Sequence, residues 1–272
     1  MSQYGMIIDL NKCIGCHACS IACRAEWEVP IGTDFGDRPQ RRNWVERIGP
    51  ETTPKGLAYT YYPGLCNHCD EPPCVSECPA DTVNMTFTDP KTGETKTLEV
   101  AATWKDPFDG TVQIDKERCI GCGACADVCP YTARYMNEEG DEPKADKCTF
   151  CVERVALGAE PACVQTCLAG ARIFGDLSDP DSAAAAYVKK GAKRLESAAV
   201  KIGPNVMYYG NERDMSLLEK TYTPQQLAQV NQRRIILAQM SKKAGGALKG
   251  MGLFGFAGVL LNSQSQDTEK TE

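Results

Sequence analysis

Through the first two thirds of the sequence, short apolar runs, each about six residues long or less, recur between turns rich in Gly, Pro and Asp. Residues 5–10 (GMIIDL) form a nearly continuous apolar run, and residues 111–115 (TVQID) alternate. Both patterns predict short strands. Further short strands are expected at 81–85, 132–136 and 171–174. Residues 26–62 read as an irregular excursion ending in a strand, whereas 86–100, with DPKTGE between Thr-rich flanks, carries hairpin chemistry. After residue 174 helix formers dominate. Helices are expected over 180–199 and 224–243, with a strand at 205–209 between them. Residues 250–261 run twelve positions without a charge, short of the roughly 20 that a spanning helix needs. Residues 264–272 read as disordered.

Composition explains why the elements are so short. The 272 residues include 24 Gly and 16 Pro but only 7 % aromatics, a loop-rich chain of the kind held by cross-links or metals as much as by an apolar core. Sixteen cysteines against two histidines, His17 and His68, exclude multi-histidine zinc or copper and bis-histidine haem, and leave thiolate chemistry. Residues 1–175 hold 17 basic and 26 acidic side chains, residues 176–272 hold 13 and 10. A balance of −9 in the cysteine-bearing part argues against nucleic acid as a partner. The N-terminus carries no basic segment, long apolar core or twin arginine, so a secreted disulfide scaffold is not expected.

The cysteines fall into four groups of four that repeat internally. Group A is Cys13, Cys16, Cys19 and Cys23; group A′ is Cys119, Cys122, Cys125 and Cys129. Both are spaced C-x2-C-x2-C-x3-C and share C-I-G-C-x-A-C. Group B (Cys66, Cys69, Cys74, Cys78) and group B′ (Cys148, Cys151, Cys163, Cys167) begin C-x2-C and end E-P-x-C-V-x-x-C. The expected unit is strand, cysteine loop, short helix beginning at the fourth cysteine, strand: the βαβ-type half of a ferredoxin, used four times.

A cubane cluster needs four thiolates around one inorganic core. C-x2-C-x2-C wraps three sulfurs toward it while a Gly, here Gly15 or Gly121, lets the backbone pass close, and the fourth cysteine serves the neighbouring cluster. Structural zinc, the competing reading, uses two C-x2-C pairs per ion and leaves the third and fourth cysteines of A and A′ redundant. Cysteine spacing alone does not decide whether A pairs with B or with B′.

With LCNHCDEPPCVSECPA, RCIGCGACADVCPYTAR and KCTFCVERVALGAEPACVQTCLAGARIFGDL in this order, the chain resembles the four-cluster iron-sulfur (beta) subunits of the dimethyl sulfoxide reductase family of molybdopterin oxidoreductases. The resemblance covers residues 4–209. It implies an α+β fold of two bacterial-ferredoxin-like modules nested in sequence: an outer one from 1–63 plus 144–175, an inner one from 64–143, then an extension over 176–272. It implies four 4Fe-4S clusters, held by Cys13, Cys16, Cys19 and Cys167; by Cys148, Cys151, Cys163 and Cys23; by Cys66, Cys69, Cys74 and Cys129; and by Cys119, Cys122, Cys125 and Cys78. It implies no catalytic residue of the chain's own. The implied role is a relay between a large molybdopterin (Mo or W) catalytic subunit and a quinone-reactive membrane subunit or cytochrome, in anaerobic respiration of a sulfur compound, arsenate or a similar acceptor. The implied location is the periplasmic side of a membrane, reached by co-export with a twin-arginine partner, with the cytoplasm as the alternative. Other classes are a subunit of a menaquinone-reducing complex and a stand-alone polyferredoxin.

Four further features carry expectations. His17 and His68 are read as solvent-facing or hydrogen-bonding loop residues rather than tuners of a cluster. Arg41, Arg42 and Trp44 either grip a partner or pack the insertion onto its own module, and Tyr131 is read as core packing. The basic stretch 182–263, with 12 cationic and 4 acidic residues, leads into the apolar run as an arm for a membrane surface or as a tail docked on the large subunit.

Overall fold

The structure, a computed structural model, describes residues 2–30, 34–35, 38–53, 56–139 and 142–248. The apolar run at 250–261 and the tail at 264–272 lie outside the described residues. In chain order the first elements are β1 (Tyr4–Asp9), α1 (Ala18–Trp27), the two-residue strands β2 (Asp34–Phe35) and β3 (Arg38–Pro39), β4 (Asn43–Thr53), β5 (Gly56–Leu65) and α2 (Pro73–Ser76). There follow β6 (Val83–Thr88), β7 (Thr95–Val100), β8 (Thr103–Lys105), β9 (Val112–Ile114), α3 (Ala124–Asp127), β10 (Tyr135–Glu139), β11 (Glu142–Asp146), α4 (Val152–Ala156) and α5 (Ala162–Gln165). The last are β12 (Arg172–Asp176), α6 (Ala183–Lys189), β13 (Lys193–Arg194), β14 (Val206–Tyr209), α7 (Glu212–Tyr222) and α8 (Gln232–Leu248).

The continuous apolar pattern of β1 has a structural cause. The strand sits inside a four-stranded sheet of order β12-β1-β14-β13, antiparallel to β12 and parallel to β14. Successive side chains point to opposite faces. Met6 and Ile8 enter the main core, and Ile7 meets Ala184 and Met207 on the other face. All three are fully buried. The remaining strands pair as two-stranded hairpins, including β6–β7 over the predicted 86–100 region and β8–β9. Short helices pair across the chain as well: α1 packs on α5, and α2 on α3.

Four expectations change. The excursion at 26–62 is largely an ordered hairpin, β4–β5, whose far strand buries Ala58, Thr60 and Tyr62 in alternation. A register shift between Ile48 and Glu51 interrupts the pattern in β4. The helix expected over 180–199 is only α6: Ser182 caps it by accepting from the Ala185 N–H at 3.0 Å, and Gly191, with φ of 97°, ends it. The helix expected from 224 begins at Gln232. Finally, α7 was not expected, although Asn211 caps it and Met215, Leu217 and Leu218 fill the main core.

Candidate metal centres

The cysteine loops are left-handed where the motif places glycine. Gly15 and Gly121 have φ of +67° and +71°. A Cβ on Gly15 would sit 2.3 Å from Tyr61 Cε1, and one on Gly121 would sit 2.5 Å from the Pro143 carbonyl oxygen. Only a residue without a side chain fits these turns. The short helices do not begin at the fourth cysteine as expected. The third cysteine lies inside the helix (Cys74 in α2, Cys125 in α3, Cys163 in α5) and the fourth follows its end, while α1 continues through Cys23. Across α1 and α5 the two sulfurs reach different cavities, Cys19 and Cys167 one and Cys23 and Cys163 another.

Those cavities draw on distant parts of the chain. Cys13, Cys16, Cys19 and Cys167 line one, together with Arg172. Cys23, Cys148, Cys151 and Cys163 line a second, together with Trp27. Cys78, Cys119, Cys122 and Cys125 line a third, together with Arg134. Cys66, Cys69, Cys74 and Cys129 line none of these three cavities; burial, then the neighbouring Cys66, Cys129 and Cys74, push the Cys69 thiol well up. Backbone N–H groups point at several sulfurs. Ala133 N donates to Cys129 Sγ at 3.4 Å and Ala171 N to Cys167 Sγ at 3.2 Å, four residues on in both cases. Phe150 N lies 3.4 Å from Cys148 Sγ, and Trp27 Nε1 lies 3.3 Å from Cys151 Sγ.

None of the sixteen cysteines is in a disulfide, and Cys16 is the only exposed one. Burial pushes the thiol of Cys74 up to about 12, and those of Cys122 and Cys163 up to about 11. Thiols so placed ionise only against a strong positive charge, which the iron of a bound cluster would supply. Among the described residues no three Cys, His, Asp or Glu side chains converge on the position of a single ion. Sulfurs that surround a cavity and donor N–H groups aimed at them fit a multi-iron core.

Three buried cations escaped the sequence reading: Arg134 and Lys147, each 1 % exposed, and Arg172, 4 % exposed. Lys147 Nζ donates to the carbonyls of Val112 and Cys148. A signal for the arginines was available, since each stands five residues after the last cysteine of its group, Cys129 or Cys167. His17 is exposed. His68 is not solvent-facing: it is fully buried and accepts from the Val112 N–H through Nδ1 at 2.9 Å, the hydrogen-bonding half of the expectation. Burial, then the charges of Lys147 and Arg134, push its pKa well down, so the ring is neutral with its proton on Nε2. Arg42 makes a two-pronged pair with Asp146 at 2.8 and 2.9 Å and lies over the Trp27 ring. Arg41 covers Trp44 and pairs with Glu46. The insertion thus packs on its own protein. Tyr131 is buried and donates to the Leu195 carbonyl at 2.8 Å.

No helix among the described residues is long and apolar enough to cross a membrane. Helix α8 lies along the surface, with Arg234 paired to Asp127, Lys242 to Asp81, and Gln239 donating to the Pro79 carbonyl. Its Ile236, Leu237 and Met240 face outward, 54 to 64 % exposed.

Known proteins resemble this chain over its cysteine-bearing part. Two family models, each described as a 4Fe-4S dicluster domain, match residues 12–82 and 57–177. The B subunit of tetrathionate reductase from Salmonella typhimurium is 39 % identical over 76 % of this chain and 72 % of its own. The B component of polysulfide reductase from Wolinella succinogenes is 41 % identical over 66 % and 80 %. The arsenate respiratory reductase iron-sulfur subunit of a Shewanella species is 31 % identical over 76 % and 95 %. The chain therefore belongs to the iron-sulfur subunits of the dimethyl sulfoxide reductase family of molybdopterin oxidoreductases, electron-transfer proteins, and it carries four 4Fe-4S clusters.

Proposed function

We propose that the chain conducts electrons between a large molybdopterin catalytic subunit and a quinone-reactive membrane subunit or cytochrome, in respiration of a sulfur compound or arsenate. Each cluster supplies a one-electron carrier, and the chain's own residues fix the order of carriers. The ligand sets are Cys66, Cys69, Cys74 with Cys129, and Cys119, Cys122, Cys125 with Cys78, in an inner module over 64–143. The outer module, 1–63 with 144–175, uses Cys13, Cys16, Cys19 with Cys167, and Cys148, Cys151, Cys163 with Cys23. The observation that carries this reading is that three cavities are lined by three cysteines of one group and one of another, in these combinations. The packing of α1 on α5 and α2 on α3 supports the same nesting.

Cys16, alone among the cysteines in being exposed, marks one end of the relay. Ile14, Ile21 and Leu168, 61 to 85 % exposed, surround that end and suit it to dock a redox partner. The catalytic partner's substrate sets the reaction. Sixteen thiols unfolded in an oxidising compartment would cross-link, so clusters are inserted in the cytoplasm, and a chain working on the periplasmic side travels folded on a partner's twin-arginine leader.

Single Cys→Ser substitutions with low-temperature EPR of the purified complex test the ligand sets. Cys129→Ser is expected to remove the same signal as Cys66→Ser and to spare the one lost in Cys122→Ser, with iron falling from roughly 16 per chain. If Cys129→Ser and Cys122→Ser remove one and the same signal, the crossed ligand sets are wrong. Affinity purification from the native source is expected to bring down a pterin-containing large subunit; a lone soluble chain would contradict the relay between partners.

A further inference from the structure

We propose that Arg134 and Arg172 set the reduction potentials of the relay, each acting as one fixed charge shared by both cluster sites of a module. The inference rests on the ligand sets proposed above.

The two arginines are equivalent by sequence and by structure. Each stands five residues after the last cysteine of its group, in CPYTAR and CLAGAR, whereas the corresponding positions after Cys23 and Cys78 are Glu28 and Val83. There is thus one arginine per module rather than one per site. Arg134 lines the cavity of Cys78, Cys119, Cys122 and Cys125. The sulfurs of Cys74 and Cys66, which belong to the other inner set, lie near the same guanidinium, where α2 packs on α3. Arg172 lines the cavity of Cys13, Cys16, Cys19 and Cys167, and its Nη1 lies 3.9 Å from Cys163 Sγ in the other outer set.

Among the described residues, neither guanidinium is neutralised by a carboxylate in the way that Asp146 neutralises Arg42. Arg134 donates from Nη2 to Thr103 Oγ1 at 3.0 Å, and its Nε and Nη1 are buried without a partner. Arg172 donates from Nη2 to the neutral Asn43 Oδ1 at 2.8 Å. A buried cation with only neutral oxygen partners has its counter-charge elsewhere, and here the sulfur sets on either side are what remains. A guanidinium keeps its proton throughout the working pH range, so both charges are fixed. An electron arriving on either side adds one negative charge beside a positive one that cannot titrate away and that little water screens. The cation favours the reduced state of both sites it touches.

The test is an EPR-monitored redox titration of the intact purified complex, with the four signals assigned through Cys122→Ser and Cys66→Ser for the inner pair and Cys16→Ser and Cys148→Ser for the outer pair. Arg134→Gln is expected to lower both inner midpoint potentials and leave the outer pair in place; Arg172→Gln is expected to do the reverse. Arg134→Lys, which keeps the charge, is expected to restore the inner potentials. Full iron content with all four potentials unchanged in both Gln variants would overturn the proposal while leaving the ligand sets standing. Equal shifts in the Gln and Lys variants would also overturn it, by assigning the effect to shape. Should Arg134→Gln fail to assemble, Arg172→Gln reads the same question on the outer pair.

Discussion

The rings of His68 and Phe150 stack with centroids 3.8 Å apart and planes 13° from parallel. The two residues occupy the same position of the repeat, immediately before the second cysteine of group B and of group B′. Corresponding loops of the repeat therefore touch at corresponding residues, both essentially sealed from solvent. His68 also accepts the Val112 N–H. Replacing His68 by Ala removes ring and acceptor together and is expected to cost about 3–5 kcal/mol. His68→Phe keeps the stack, leaves the Val112 N–H unpaired, and is expected to cost about 1–3 kcal/mol. Anaerobic thermal unfolding of the cluster-loaded protein orders the two variants; a His68→Phe as damaging as His68→Ala would show that the stack contributes nothing.

Gly15 and Gly93 have similar positive φ, +67° and +74°, but a Cβ on Gly15 meets the Tyr61 ring while one on Gly93 meets nothing within 4 Å. Gly93→Ala is expected to cost only the left-handed penalty, about 1–2 kcal/mol, with all iron retained. Gly15→Ala must also displace an aromatic ring packed on the Cys13–Cys16 loop. Iron per chain is expected to drop in that variant alone.

The Arg42–Asp146 pair is buried on both sides, and Asp146 also accepts the Tyr135 hydroxyl. Arg42→Met leaves an unpaired buried carboxylate and is expected to destabilise by about 3–5 kcal/mol. Removing both charges, in Arg42→Met with Asp146→Leu, is expected to recover much of that loss. Denaturant unfolding of the single and double variants closes the cycle.

Nine of the sixteen cysteines are buried, several in the middle of the apolar clusters. Stripping iron with a chelator under reducing, anaerobic conditions thus takes away the centre of the core as well as the cofactor. Circular dichroism is expected to fall together with the cluster absorbance near neutral pH, as for other metal-nucleated folds. Secondary structure that persists after iron is gone would show that the apolar contacts suffice.

Legibility followed physical range. The cysteine loops could be read because four sulfurs and a left-handed glycine must fall at fixed spacing, and β1 because burial on both faces writes a continuous apolar run. Helix α6 was read too long because Gly191 looks like one weak residue in a helix-forming stretch, while in space it turns the chain so that Lys193 and Arg194 reach β14. The hairpin β4–β5 was obscured where Gly49-Pro50 interrupts its alternation. Arg134 and Arg172 could have been found by extending the repeat five residues past its last cysteine. Lys147 could not, because its burial depends on which loops meet.

Met6 of β1 pairs with Val206 of β14, some 200 residues later in the chain. At about 5–20 residues per second, the ribosome leaves the apolar side chains of that strand without β14 for roughly 10 to 40 seconds. During that interval Met6, Ile7 and Ile8 are an adhesive edge rather than a core. The order of synthesis therefore leaves the apolar side chains of the first strand uncovered until the last strand of its sheet has been made.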